Sequence, residues 1–497
     1  MAGYNVILLT DTPEHPAWCR GYGAHRIANQ LRTNGYTCLV LDFTSELTFD
    51  KWQEICNLAV GDETLVVGIS TTWWPYRKPS SPSKDSWINS RDNLNLIEPK
   101  SMGKDGALEA AKAGMLEIWF DTVKQINPKV KFLLGGPKVE FYFDAPVDHF
   151  IIGLGETQII DYVHSLKESK RIWPRVINHD TNAGSPSWDF KYSQTLYTPI
   201  DQIKSYEILN FEFSRGCRFK CSFCSYPLIG MKDVSSYIKS KDAIYSELMH
   251  NYETWGTTQY VVADDTLNDS TQKLEHIASA IRQLPFRPKF KAYTRLDVIA
   301  VNPVQATLLH EIGLANTWMG IDSFHPIAAK SIGKGMPASR RKEMLYNLKE
   351  LWGDDVTITA GYIVGLPGED VDHLYSVAEW LSQKDNPIYS TTFMGLRITP
   401  PKPFLPYTPR SDIDNNYKDY GYDIPNIEMF WEWTKNDQTG ISNYLEAEMY
   451  ANKLNDMIPK RSISPNMQHD PKVFKSPSEW YFKPLIEQLR LIKDRYV

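Results

Sequence analysis

Short apolar runs alternate along this chain with stretches whose apolar residues recur every three to four positions, the mark of buried strands followed by amphipathic helices. Residues 5–10 (NVILLT) read as a parallel strand buried on both faces. Residues 24–34 have helical spacing around Ile27 and Leu31 and stop at Gly35, a residue suited to a helix C-terminus. The pattern continues with a strand at 37–41, a helix at 49–60, a strand at 65–70, a long helix at 107–127 closed by Pro128, strands at 131–134 and 149–152, and a helix from Glu156. This alternation predicts a doubly wound parallel sheet that binds ligands beyond the carboxyl ends of its strands. Residues 73–106, rich in Ser, Pro, Asn and Lys, interrupt it as a long loop. The loop's Trp73, Trp74, Tyr76 and Trp87 either cover a ligand or anchor the loop to its own domain.

Periodicity fades from 171 to 204, where Pro174, Pro186 and Pro199 mark a connection between domains. Alternation then resumes, with strands at 207–213, 258–262, 289–293, 317–321, 357–364 and 390–398. The helices between them fall at 242–252, 270–283, 303–312, 340–351 and 371–383. Six such units predict a barrel-like array with its chemistry at the carboxyl ends of the strands. Beyond Thr399 a Pro-rich turn leads to helical stretches at 442–455 and 478–495, expected to cover the array's open side.

At 497 residues the chain is too long for one ordinary domain. A net charge of -6 carries no basic excess, so nucleic acid is not indicated as a partner. The start lacks a charged leader region, and no run approaches membrane-spanning length, so a cytoplasmic protein without membrane contact is expected.

Of the six cysteines, three form the array Cys217-x-x-x-Cys221-x-Phe223-Cys224 at the end of a predicted strand. Thiolates this close suit an iron–sulfur, zinc or copper(I) site. A structural zinc site would close with a fourth Cys or His at short spacing, and the next His, His250, lies far along a predicted helix. CxxxCxφC, with φ aromatic, resembles the signature of the radical S-adenosylmethionine (SAM) enzymes. The resemblance implies that Cys217, Cys221 and Cys224 bind a [4Fe-4S] cluster, that SAM chelates the fourth iron, and that Phe223 packs near adenine. Cys19, Cys38 and Cys56 lack ligand spacing and do not match the second-cluster cysteines of methylthiotransferases.

Further motifs of that family follow in order. Asp264-Asp265 after the second strand stands where relatives bind the SAM amino group, and an Asp before Thr266 equally suits a helix cap. Arg295 after the third strand would grip the SAM carboxylate or a substrate anion, or pair with Asp297. Gly320-Ile321-Asp322-Ser323 resembles a Gly-Ile-Glu-Ser that faces the SAM ribose, with a shorter acid here. Gly361 to Glu369 (GYIVGLPGE) matches a GxIxG pattern whose Ile363 would pack on adenine and whose Gly365 gives the backbone room.

The first 170 residues resemble the cobalamin (B12)-binding domain that precedes many radical SAM barrels. Gly21 to Ala28, Gly68 to Thr72, Gly135-Gly136-Pro137 and Asp148 to Glu156 carry that resemblance. Ser70, Thr72, Gly135 and Gly136 would line the cofactor's tail, although glycines after strands also serve ordinary turns. No DxHxxG sequence occurs, so the histidine lower ligand of the best-known cobalamin domains is absent.

The expected fold is therefore α/β. A B12-binding-like, Rossmann-like sheet (1–170) and a linker (171–206) precede a partial (β/α)6 core (207–400) and a mostly helical covering region (401–497). The implied activity is reductive SAM cleavage, giving a 5′-deoxyadenosyl radical that abstracts hydrogen from an unactivated C–H bond of an unidentified small molecule or modified biomolecule. Cobalamin-dependent methyl transfer would follow. The alternatives are a cobalamin-independent epimerase, oxidase or rearrangement enzyme, and a non-catalytic iron–sulfur protein. Flavodoxin or ferredoxin is the electron donor the resemblance implies.

Overall fold

The computed structural model describes residues 3–11, 20–70, 116–136, 139, 145–168, 171–177, 189–226, 230, 237–399, 410–425, 433–435, 440–459, 466–467 and 477–495. The loop expected at 73–106, the first part of the 107–127 helix, Thr72 and Cys19 lie outside them.

Six parallel strands form the first sheet: β1 (Val6–Leu9), β2 (Cys38–Leu41), β3 (Val66–Ser70), β4 (Lys131–Gly135), β5 (His149–Ile151) and β6 (Val176–Ile177). Their order is β2-β1-β3-β4-β5-β6, so the winding reverses between β1 and β3, which is where a sheet of this kind opens a crevice. Along β1, Val6 and Leu8 enter one core while Ile7 and Leu9 enter the other, the period-2 consequence of helices on both faces.

The second sheet holds β7 (Leu209–Phe211), β8 (Gln259–Val262), β9 (Lys289–Thr294), β10 (Leu314–Asp322), β11 (Thr357–Val364) and β12 (Ser390–Gly395), paired in sequence order and parallel throughout. Phe290, Met319, Ile358 and Phe393 turn outward into one core beneath the surrounding helices. This is the partial barrel expected, with β7 and β12 as its open edges. At the β12 edge the helix Tyr444–Met457 supplies a strand-like partner: Asn455 accepts from the Phe393 N–H at 2.8 Å and donates to the Phe393 carbonyl at 2.9 Å.

Two findings depart from the sequence reading. Val176–Ile177, in the stretch read as a connection, extends the first sheet. The last helix, Lys483–Asp494, packs on the first sheet rather than over the barrel. Tyr481, Phe482, Leu485 and Leu489 bury there, each worth about 1.5–3 kcal/mol, which a solvent-facing lid would forgo.

The two sheets are joined through buried charge. Arg20, 1% exposed, reaches Asp42 at the end of β2 and Glu207 just before β7. Asp201 accepts from Arg32 on the first helix, Tyr22–Thr33.

Candidate active site

The chain leaves β7 into a loop tied down by Asp264 at the end of β8. One Asp264 oxygen accepts the N–H groups of Phe213 and Ser214 at 2.8 and 3.1 Å, and the other accepts the Ser214 hydroxyl at 2.6 Å with Lys273 3.1 Å away. Asp264 is thus fully engaged as the anchor of this loop. Gly216, at φ +86°, then reverses the chain in a conformation that favours glycine.

Cys217, Cys221 and Cys224 follow, the first buried and the others half-buried. The Cys224 N–H bonds the Cys221 carbonyl at 3.0 Å, which closes the loop tightly. Thr266 Oγ1 lies 3.4 Å from Cys217 Sγ, and Arg295 Nη1 donates to Cys221 Sγ at 3.0 Å. Burial pushes the Cys224 thiol up to about 11 and the Cys217 thiol upward as well, so a metal must displace their protons to bind. Among the described residues no three His, Cys, Asp or Glu side chains converge as the ligands of one ion do. Cysteines of a cluster each bind a different iron and stand farther apart, so donor chemistry is the relevant test. Three soft sulfurs on one loop, each with a hydrogen-bonding neighbour (for Cys224 the Tyr226 backbone), fit a cluster.

The other predicted residues gather around this loop. Asp265 is half-buried beside it, and burial, with Asp264 and Glu212 nearby, lifts its carboxyl to about 6. Arg295 stacks on Phe219, its guanidinium 3.9 Å from the ring centroid, and pairs with Asp297 at 2.5 Å. Phe223 and Ile363 pack, partly buried, on the barrel core. Asp322 sits at a bulge of β10 with φ +61°, 2.6 Å from Lys334, a left-handed strain of the kind that concentrates at functional sites. The space around Gly365 (φ +94°) is taken by Trp433, since a Cβ there would lie 2.9 Å from the indole.

Ser323 donates to Glu369 at 2.6 Å, so the two glycine-containing motifs meet through a buried acid to which the sequence reading gave no role. Burial raises the Glu369 carboxyl to about 8, against opposing contributions from Ser323, the Gly365 backbone and Lys435. The folded protein therefore holds this proton between about pH 4.5 and 8 while the unfolded chain releases it, so stability falls as pH rises through that window, by about 3–5 kcal/mol. Glu369→Gln mimics the neutral acid and is expected to flatten the slope. Denaturant midpoints from pH 5 to 9 check this, and parallel slopes in both proteins would contradict it.

A second site lies in the first sheet's crevice. A cavity of about 300 Å³ opens beyond the carboxyl ends of β1, β3, β4 and β5, and Ser70, Gly135 and Gly136 are among its lining residues. Its walls are largely apolar, with Leu8, Ile69 and Leu133 among them, and Ser70, Glu156 and Arg215 add polar groups. A Cβ at Gly23 or Gly153, two of the lining residues, would meet no atom within 4 Å. Such a pocket suits a largely apolar group. Its lining comes from residues 8–159 except for Arg215, which belongs to the cysteine loop.

A sheet with its crevice at the β1/β3 reversal, followed by a six-strand open barrel with a three-cysteine loop after its first strand, defines a class. Residues 211–381 match the Radical SAM superfamily, and the first six-strand parallel sheet precedes that match. It is 22% identical over 284 residues to an uncharacterized methyltransferase of Pyrococcus horikoshii, covering 53% of this chain and 60% of that one. It is 20% identical over 313 residues to the anaerobic magnesium-protoporphyrin IX monomethyl ester cyclase of Rubrivivax gelatinosus, covering 57% and 54%. The chain thus spans between half and two thirds of the length of these relatives. Among solved structures, the radical SAM methyltransferase TsrM of Kitasatospora setae, with cobalamin and a [4Fe-4S] cluster bound, aligns over 98% of this chain and 99% of its own at TM-score 0.57 and 13% identity. The cobalamin-dependent radical SAM enzyme OxsB, with aqua-cobalamin and SAM bound, aligns over 78% and 53% at TM-score 0.54 and 14% identity. At these identities the likeness is one of fold. Among the described residues no helix is long and apolar enough to cross a membrane.

Proposed function

We propose that this chain is a cobalamin-dependent radical SAM methyltransferase. One observation carries the reading: Arg215 lines the first sheet's cavity and stands two residues before Cys217, so the two candidate cofactor sites adjoin. Cys217, Cys221 and Cys224 would hold a [4Fe-4S] cluster, with Thr266 and Arg295 supporting two of the sulfurs. Asp265, rather than the engaged Asp264, would take the SAM ammonium, because a desolvated carboxylate gains most from a cation beside it. Phe223 and Ile363 would flank the adenine, with Asp322 and Ser323 near the ribose. Ser70, Thr72, Gly135 and Gly136 would line the corrinoid tail, which enters without a DxHxxG histidine. Bound there, these groups supply an electron for SAM cleavage and a methyl group for transfer.

In this reading residues 1–170 with β6 and the last helix, Lys483–Asp494, form the corrinoid unit, and 207–400 the catalytic core, against whose β12 edge the helix Tyr444–Met457 packs. The protein works in the cytoplasm with a flavodoxin or ferredoxin as donor. The test is anaerobic reconstitution with iron, sulfide and hydroxocobalamin, followed by gel filtration and addition of SAM and a strong reductant. About one corrinoid per chain and formation of 5′-deoxyadenosine are expected. A reducible cluster that leaves SAM intact would sink the enzymatic reading. SAM cleavage without retained corrinoid would leave a cobalamin-independent enzyme.

A further inference from the structure

We propose that Arg26, Glu156, Glu212 and Arg215 form a positioning device through which the occupant of the first sheet's cavity sets the conformation of the cysteine loop. The inference rests on the function proposed above for the identity of that occupant.

The four side chains come from both halves of the molecule. Arg26 lies on Tyr22–Thr33 and Glu156 on the first turn of Gly155–Glu168, two helices whose N-terminal turns line the cavity. Glu212 directly follows β7, and Arg215 sits in the loop beyond it. Arg215 Nη2 is 2.5 Å from Glu156, and its Nε is 2.7 Å from Glu212. Arg26 reaches Glu212 at 2.9 Å and Glu156 at 3.6 Å, so each acid touches both bases. Both guanidiniums also lie 5.3 Å from the Phe190 ring centroid. Two positive and two negative groups balance, which makes burial of Arg26, Glu156 and Glu212 beside the partly buried Arg215 tolerable, and the displacement of any one costs its partners their neutralisation.

Arg215 is the cavity's sole lining residue beyond Ile159 among the described residues, so an occupant touches the cysteine loop there. The Arg215 N–H is held by the Tyr237 carbonyl at 2.9 Å, and the next residue is the left-handed Gly216, whose backbone bonds Asp265. A shift of the guanidinium therefore passes through one pivot to Cys217 and to the carboxyl assigned to SAM. Arg215 acts here as a positioning residue, since it touches the cavity's occupant and orients the loop without ligating the cluster.

Hydrogen exchange of residues 212–226 in the full chain, with and without hydroxocobalamin, reads this coupling without any substitution. The expected result is at least about fivefold slower exchange on binding, together with a changed electron paramagnetic resonance line shape of the reduced cluster. Glu212→Gln keeps the side chain's shape and lies outside the cavity wall. It is expected to retain corrinoid and iron while losing most of that slowing. Corrinoid retained with loop exchange unchanged in the native chain, or equal slowing in the Glu212→Gln variant, overturns the inference alone. Failure to retain corrinoid overturns it together with the cobalamin part of the proposed function.

Discussion

Replacing Cys217, Cys221 and Cys224 together by alanine is expected to lower the iron of reconstituted protein from about four atoms per chain to background and to abolish the reduced-cluster resonance. The three thiols stand on one short loop, and the sequence offers no further Cys or His at short ligand spacing to replace them. The loop itself should survive, because Asp264 holds Phe213 and Ser214 from beneath and the Gly216 turn is independent of the sulfurs. Corrinoid retention in the first sheet should therefore persist in the variant, separating loss of the cluster from loss of the fold. Iron content and resonance unchanged by the triple substitution would show that the metal is held elsewhere.

Much of the architecture was legible because buried parallel strands announce themselves as apolar runs. The stretch expected at 357–364 is the strand Thr357–Val364 itself. Helices Leu296–Val301 and Pro326–Ser331 passed unseen, since six residues hold too few turns to display a period. The two residues of β6 are likewise too few to alternate. The cysteine loop was readable because its chemistry is local in sequence. What surrounds it was not: Glu156 meets Arg215 and Ser323 meets Glu369 across long stretches of chain, and no local pattern links such partners. The room expected at Gly365 exists, but a C-terminal tryptophan fills it, a contact that only the folded chain brings about.

Arg20→Met is expected to cost about 3–5 kcal/mol, the largest single-residue effect predicted on stability. The guanidinium spends every N–H: Nε and Nη2 on the two Glu207 oxygens at 2.6 and 2.9 Å, Nη1 on Asp42 at 3.0 Å and the Asp201 carbonyl at 2.7 Å, and Nη2 again on the Gln202 carbonyl at 3.1 Å. Methionine fills much of the volume between Phe43 and Tyr481 but removes the guanidinium from buried Glu207 and Asp42, of which Asp42 keeps His25 at 2.8 Å. Acid sensitivity should change with it. Burial opposes ionisation of Asp42, yet His25 and Arg20 overcome that and hold its carboxyl at about 2, so the stability it contributes is present above about pH 4 and lost as pH falls towards 2. Without Arg20 the folded value rises and that contribution shrinks, so the variant should unfold at a higher pH than the parent. Because Arg20 joins β2 to the approach to β7, the early unfolding phase should report separation of the two sheets. Denaturant titrations at pH 4 and 7 would measure both effects, and a loss under about 1 kcal/mol would mean that the buried acids find other partners once the two sheets are free to shift.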